Sequence, residues 1–130
     1  LLGSVASAQP KKMKVLVDGH LIHEGQTHNV FVCNGRYSGG GMLWAPKAQL
    51  NDGLLDILLV RDMSRLTLLT LAPRVYSGTL STVPGVSLYT AQTCEVSCET
   101  ETLIELDGEV YSTQLARFEV LPKALSLLVL

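Results

Sequence analysis

Short segments in which apolar and polar side chains alternate recur along the second half of this chain, and turn residues separate them. The segments span residues 86–90, 93–98, 102–106, 115–121 and 125–130, and similar patterns occupy residues 13–17 and 27–33. A period of two is that of a half-buried β-strand, and evenly spaced short strands are typical of a sandwich or barrel. Residues 54–60 are apolar at nearly every position, which indicates a strand buried on both faces.

One segment departs from the period of two. Ser64 can cap a helix, and the apolar residues between Leu66 and Val75 are spread around a helical surface. Pro73 lies inside this segment and lacks the N–H that the helix requires, so we expect a kink or a division into two helices. The sequence therefore predicts a mainly β fold, a β-sandwich-like domain of short, largely antiparallel strands with one inserted helix near residues 64–77.

Composition narrows the class of protein. The chain has 130 residues, of which 47% are hydrophobic and 17% charged, as expected for one globular domain with an ordinary core. A formal net charge of −2 argues against a nucleic-acid surface, which needs clustered Lys and Arg. No apolar run approaches the roughly 20 residues of a membrane-spanning helix.

The cysteines and histidines have ordinary interpretations. Three cysteines are an odd number, which favours a reducing, cytoplasmic compartment over a disulfide framework. Cys94 and Cys98 are interpreted as small buried hydrophobes rather than as a metal pair. For His20, His23 and His28, a solvent-facing hairpin is favoured over a metal site, because no carboxylate or cysteine partner lies in register.

A glycine-rich stretch separates two predicted strands and is the first candidate for a site. Residues 34–55 contain Gly39–Gly41, which can take positive φ or allow another segment to approach closely. Asn51-Asp52-Gly53 then predicts a tight turn, in which Asp52 can bond its own backbone. Functional groups are often placed on such loops by the strands that flank them.

A second acidic turn follows an apolar strand. Asp107-Gly108-Glu109 comes directly after Leu106, so its carboxylates emerge where the strand leaves the core. A general base at this position is one interpretation, and ordinary hairpin chemistry is the other, since Asp-Gly is a favoured two-residue turn.

Several blocks together resemble the C-terminal domain of diacylglycerol kinase-like lipid kinases, a group with sphingosine and ceramide kinase relatives. The blocks are residues 33–42, Ala45-Pro46, Ala48, residues 51–56, residues 106–109 and residues 119–122. The resemblance implies a helix end or linker at residues 1–12 and a β-rich domain at residues 13–130. It also implies that ATP binds mainly in a separate N-terminal domain, whose Gly-Gly-Asp-Gly-Thr block does not occur in these residues.

The same resemblance implies the roles of individual residues. Asp107 or Glu109 would be the base that deprotonates a lipid hydroxyl. A Mg²⁺ ion would take a side-chain oxygen of Asp52 and the backbone carbonyls of Gln49 and Leu54. These oxygen ligands suit a hard cation that keeps several waters.

The resemblance implies that this chain is the acceptor-side half of a kinase and is inactive without the nucleotide-binding half. It also implies a lipid partner such as diacylglycerol or a sphingoid base. Peripheral membrane contact is an open possibility, and one candidate for it is the group Lys11, Lys12 and Lys14. A homodimer is also an open possibility. The alternatives are a non-catalytic β-sandwich module that binds lipid, or an interaction domain that uses exposed strand edges.

Overall fold

The computed structural model describes residues 9–128, which form eight strands and three short helices. The strands are β1 (Lys11–Val17), β2 (His20–Cys33), β3 (Tyr37–Ser38), β4 (Met42–Leu43), β5 (Leu55–Arg61), β6 (Val86–Ala91), β7 (Thr93–Leu106) and β8 (Glu109–Glu119). The helices are α1 (Arg65–Leu69), α2 (Leu71–Ser77) and a 3-10 turn at Leu80–Thr82. Strands in the described residues pair antiparallel in two sheets, ordered β6-β5-β2-β1-β7-β8 and β3-β4. The predicted mainly β fold is confirmed.

The long strand β2 allows the six-stranded sheet to fold over one core. Its first half pairs with β1 and its second half pairs with β5. Side chains from strands that are distant in the sheet order then meet in a single cluster, which includes Val15, Ile57, Leu59 and Cys94. This inner core is what makes the sheet sandwich-like, because two parts of one sheet face each other across it.

Asp18 fixes the bend between β6 and β7. Its Oδ1 accepts hydrogen bonds from the backbone N–H groups of Gln92 and Thr93, at 2.9 and 3.0 Å. Only Gln92 separates the two strands, so one carboxylate satisfies two donors where the chain changes direction.

A second apolar cluster lies on the other face of β5. Leu58 and Val60 pack there against Met42, Trp44 and Val75. We call residues 34–50 and 64–83 the cap layer, because these two segments together cover this face. The rings of Phe31 and Trp44 stack with centroids 4.2 Å apart. Strand β5 is thus buried on both faces, as its nearly continuous apolar pattern predicts.

The predicted helix forms as two pieces. Ser64 caps α1 by accepting a hydrogen bond from the Thr67 N–H at 3.1 Å. Thr70 separates α1 from α2, and Pro73 lies in the first turn of α2, where its missing N–H costs least. Gly78 ends α2 at φ +73°, and a Cβ there would lie 2.7 Å from Leu43 Cδ2. The division expected from Pro73 is therefore confirmed.

Four strand predictions need correction. The separate strands expected at 93–98 and 102–106 are one strand, β7, because its hairpin pairing with β8 continues through the polar residues between them with only a register shift. The strand expected at 115–121 begins earlier, at Glu109. Residues 125–128 form no strand, since no described strand pairs with them, and residues 129–130 lie outside the described part. Of the helix end or linker expected at residues 1–12, residues 1–8 also lie outside the described part, and Lys11 and Lys12 belong to strand β1.

The solvent-facing hairpin expected for the histidines holds for His20, which is exposed on the β1–β2 hairpin, but not for His28. All three histidines belong to strand β2 rather than to a turn. The His28 side chain is nearly buried, and its Nε2 lies 3.3 Å from the Met63 carbonyl oxygen and 3.4 Å from Asp62 Oδ1. The pairing of β2 with β5 brings the chain after β5 over His28, which the local pattern did not reveal.

Candidate functional site

The glycine-rich loop is built around consecutive positive φ angles. Gly39, Gly40 and Gly41 have φ of +53°, +80° and +93°, and they connect the short strands β3 and β4. Arg36 closes the loop at its base, because its Nε donates to the Ala48 carbonyl at 3.0 Å and its own carbonyl accepts from Ala45 N–H at 3.3 Å. The loop is therefore an ordered part of the cap layer.

Asp52 occupies an exposed turn between β4 and β5. Its Oδ1 accepts a hydrogen bond from the Leu54 N–H at 3.0 Å, and Gly53 follows at φ +69°. A Cβ at Gly53 would lie 3.7 Å from Pro122, which places the turn against the chain that follows β8. The predicted tight turn, with aspartate bonded to its own backbone, is confirmed.

Gln49 and Leu54 lie in the same connection as Asp52, so the three positions implied as metal ligands are neighbours in the chain. Among residues 9–128, no three His, Cys, Asp or Glu side chains come together as a metal site. A cation at this turn would accordingly depend on backbone carbonyls as well as on a carboxylate.

Asp56 is a polar residue of this region that the sequence reasoning did not select. It is only 2% exposed, and within the described residues its Oδ2 has no hydrogen-bond partner. Burial raises the pKa of Asp56, and the nearby charge of Asp52 raises it further. The sequence did contain a signal for this residue, because Asp56 is the one charged residue in the apolar run 54–60.

Cys33 lies opposite Asp56 in the pairing of β2 with β5. Burial raises the pKa of its thiol to about 11, with a further contribution from the Asp56 carboxylate. Burial alone raises the pKa of Cys94 to about 11. Such thiols stay protonated at neutral pH and are poor nucleophiles and metal ligands.

Asp107 and Gly108 form the two-residue turn between β7 and β8. Their φ angles are +49° and +91°, and the flanking residues Leu106 and Glu109 are paired. Positive φ at both positions is what a tight hairpin turn requires, so hairpin chemistry accounts for the Asp-Gly pair. The turn leaves both carboxylates, of Asp107 and Glu109, exposed at the tip of a long hairpin.

Tyr111 distinguishes the two carboxylates. Its hydroxyl donates to Glu109 Oε2 at 2.5 Å, and this hydrogen bond raises the pKa of Tyr111. Glu109 thus has a side-chain partner that orients its carboxylate. Asp107 is instead a turn residue with positive φ.

The two acidic turns lie at opposite ends of β8. Gly53 is next to Pro122, beyond the last residue of β8, whereas Glu109 is its first residue. The 11 residues of β8 span roughly 34 Å at the usual rise per residue. The structure does not bring Asp52 together with Asp107 and Glu109.

A sheet folded over an inner core, with a cap layer on one outer face, defines a β-sandwich-like domain. The family model described as the YegS C-terminal NAD kinase β-sandwich-like domain matches residues 1–129, and the chain belongs to this family. The resemblance to the C-terminal domain of diacylglycerol kinase-like lipid kinases is thereby confirmed.

Curated relatives and solved structures agree with this membership. A "Probable lipid kinase YegS-like" of Shewanella frigidimarina is 34% identical over 72% of this chain and 30% of its own length. A "Diacylglycerol kinase" of Mycobacterium tuberculosis is 30% identical over 98% of this chain and 41% of its own length. The crystal structure of a putative diacylglycerol kinase from Bacillus anthracis, at 23% identity, has the same fold, with a TM-score of 0.74 over 93% of this chain and 40% of that one.

The chain therefore spans well under half the length of these relatives. In the part of the chain that the structure describes, no helix combines the length and the apolar character needed to cross a bilayer.

Proposed function

We propose that this chain is the acceptor-side domain of an ATP-dependent lipid kinase, which transfers a phosphoryl group to a lipid hydroxyl when the complete enzyme is assembled. The observation that carries the proposal is the family match across residues 1–129, with relatives named as lipid kinases and diacylglycerol kinases. The exposed carboxylates of Asp107 and Glu109 can supply the base that such a reaction needs, and the exposed carboxylate of Asp52 can help to hold a cation.

ATP would bind mainly in another domain of the longer protein. The relatives are more than twice as long as the matched region, and these 130 residues lack a Gly-Gly-Asp-Gly-Thr block. Gly39–Gly41 does not replace that block, because it connects two strands and no helix starts after it to bind phosphate. The chain alone should then show no kinase turnover.

The base would be Glu109 or Asp107. As the lipid oxygen bonds to the γ-phosphorus and the bond to the departing ADP breaks, the carboxylate accepts the proton of the hydroxyl. Exposure at a hairpin tip gives either group access to a second domain and to a substrate. The hydrogen bond from Tyr111 supports Glu109, because an oriented carboxylate accepts a proton at a defined position.

Mg²⁺ fits the residues around Asp52. The side chain of Asp52 and the carbonyls of Gln49 and Leu54 would supply hard oxygen ligands. The Oδ2 atom of Asp56, which has no hydrogen-bond partner among residues 9–128, is a further oxygen that a cation would stabilise. A bound cation supplies positive charge that offsets neighbouring carboxylates. Because Glu109 lies at the other end of β8, we assign the Asp52 turn a structural role in this domain.

The acceptor would be diacylglycerol, a sphingoid base or a similar lipid. An enzyme acting on such a lipid has to reach the bilayer, so we include peripheral contact with the cytoplasmic membrane surface in the proposal. The exposed lysines of β1 are weak candidates for this contact, because the Lys12 ammonium is paired with Glu99 at 3.0 Å.

The test is a phosphoryl-transfer assay with the full-length protein that contains this domain, ATP, Mg²⁺ and diacylglycerol or sphingosine in mixed micelles. We expect turnover by the full-length protein, loss of turnover on Glu109→Gln or Asp107→Asn, and none by the 130-residue chain. A full-length protein that binds these lipids but transfers no phosphate would favour the non-catalytic lipid-binding module instead.

A further inference from the structure

Charge is distributed unevenly between two parts of this domain. The cap layer contains four basic residues and no acidic one, namely Arg36, Lys47, Arg65 and Arg74. The segment 93–116, which forms most of the β7–β8 hairpin, contains six acidic residues and no Lys or Arg. With a net charge of −2 for the whole chain, the cap layer is a local positive surface on an acidic protein.

An apolar stripe on the two helices lies within this positive surface. Leu66 and Leu69 are 77% and 63% exposed, and Tyr76 is also largely exposed. Leu68, Leu71 and Val75 are buried in the cluster beneath them. Thr70 keeps a right-handed helical backbone between α1 and α2, so the spacing of 66, 69 and 76 repeats along one side of the helical segment.

Both segments of the cap layer carry an exposed basic side chain. Arg65 is exposed next to Leu66, and Lys47 is exposed on the other segment of the cap layer. Arg74 lies closer to the core and donates to Thr82 Oγ1 at 2.8 Å. Exposed leucines, a tyrosine with a polar hydroxyl and flanking cations are the composition of surfaces that lie at a membrane interface.

We propose that the cap layer docks on a bilayer that contains anionic phospholipids. Leu66, Leu69 and Tyr76 enter the boundary between headgroups and acyl chains, and Arg65 with Lys47 contacts the phosphates. The absence of acidic residues in the cap layer favours a negative surface over a neutral one. This inference deepens the proposed function, since it names the surface by which a lipid kinase would reach its substrate.

Vesicle co-sedimentation tests the proposal without ATP or catalysis, so its failure is separate from a failure of the kinase assay. The 130-residue chain is mixed with phosphatidylcholine vesicles that contain about one-third phosphatidylglycerol, or none. We expect binding to the anionic vesicles that weakens as salt is added. Leu66→Ser/Leu69→Ser should lower the partition coefficient roughly tenfold or more, because the two leucine side chains that enter the bilayer are lost. Arg65→Gln should lower it about fivefold, on anionic vesicles alone.

Leu103→Ser is the matched control. Leu103 is 75% exposed, close to the value for Leu66, but it lies on the acidic hairpin, so its replacement should leave binding unchanged. Trp44 is the only tryptophan, is buried in the cap layer and stacks on Phe31, so its emission reports whether each variant keeps a folded cap. The same variants in the full-length protein provide a second measurement if the short chain does not fold.

Three results would overturn the proposal. The first is equal binding by Leu66→Ser/Leu69→Ser with native Trp44 emission. The second is equal binding to neutral and anionic vesicles. The third is a wild-type protein that binds no vesicles but sediments as a dimer that the double substitution dissociates, which would make the stripe a protein interface.

Discussion

Asp56 is buried beneath the turn that carries Asp52, and the negative charge of Asp52 adds to the effect of burial in raising the pKa of Asp56. The Asp56 carboxylate has an oxygen without a hydrogen-bond partner in the described residues, whereas Asp52 is exposed and bonds to the Leu54 N–H. Two carboxylates four residues apart therefore have opposite environments, and a cation near both would relieve their repulsion.

Replacing Asp56 with asparagine tests this relationship through stability. An unpartnered buried carboxylate costs more than a neutral amide, so Asp56→Asn should raise the free energy of unfolding by about 1 kcal/mol without divalent cations. Added Mg²⁺ should raise the melting temperature of the wild type more than that of the variant. An equal increase in melting temperature of both proteins on adding Mg²⁺ would show that Asp56 does not interact with a bound cation.

Asp52→Asn should keep the turn and lose the cation. An asparagine Oδ1 can still accept the Leu54 N–H, so thermal stability without Mg²⁺ should stay within about 0.5 kcal/mol of wild type. Kinase activity of the full-length protein should fall and be partly restored by excess Mg²⁺. Unchanged activity and unchanged metal dependence would leave Asp52 as a turn residue only.

The base is identified by Glu109→Gln and Asp107→Asn in the full-length kinase. Removal of a general base costs roughly 10² to 10⁴ in rate, so the variant that lacks it should lose turnover by that factor. Asparagine tolerates the positive φ of residue 107, so folding should survive. ATP affinity and melting temperature are the controls, and near-normal turnover by both variants would end the catalytic interpretation of this turn.

Gly78 should be the most sensitive glycine of the cap layer. Gly78→Ala places a Cβ at φ +73°, 2.7 Å from Leu43 Cδ2 and 3.0 Å from Pro46 Cγ, so we expect a loss of about 2–4 kcal/mol in denaturant unfolding. Gly40→Ala is the matched control, because Gly40 has φ +80° with no atom within 4 Å of the added Cβ. The free energy of unfolding of Gly40→Ala should fall only by the cost of placing alanine at positive φ, about 1–2 kcal/mol. Equal losses would mean that packing against Leu43 contributes nothing.

The raised thiol pKa values predict a dependence on alkaline pH. Cys94 has a pKa of about 11 in the fold, whereas an unfolded thiol ionises near pH 9. The unfolded state therefore loses its proton first, and stability should fall as pH rises from about 9 to about 11. Cys94→Ala should show a shallower fall in the urea midpoint over this range. Iodoacetamide should label Cys94 in the native protein far more slowly than in urea at pH 8, and equal labelling rates would contradict its burial.

Pattern alone predicted the local features of the fold. The alternating segments predicted β1 and β6 nearly at their observed bounds, and the apolar run at residues 54–60 predicted β5. Pro73 predicted the division of the helix. Side-chain periodicity and proline geometry act within a few residues, so they can be recognised in the sequence. The strand expected at 125–130 failed in its described part, because an apolar run forms a strand only where another strand is available to pair with it.

The sequence by itself determined which residues turn the chain and which can bury a face. Gly39–Gly41, Gly53 and the Asp107-Gly108 pair take the positive φ angles that their residue types favour, because backbone preference is a local property. The tertiary structure decided how these pieces are arranged. The pairing of both halves of β2 with different strands closes the core, places Asp52 and Glu109 at opposite ends of β8, and buries Asp56. These outcomes depend on contacts between residues distant in sequence, which no local pattern specifies.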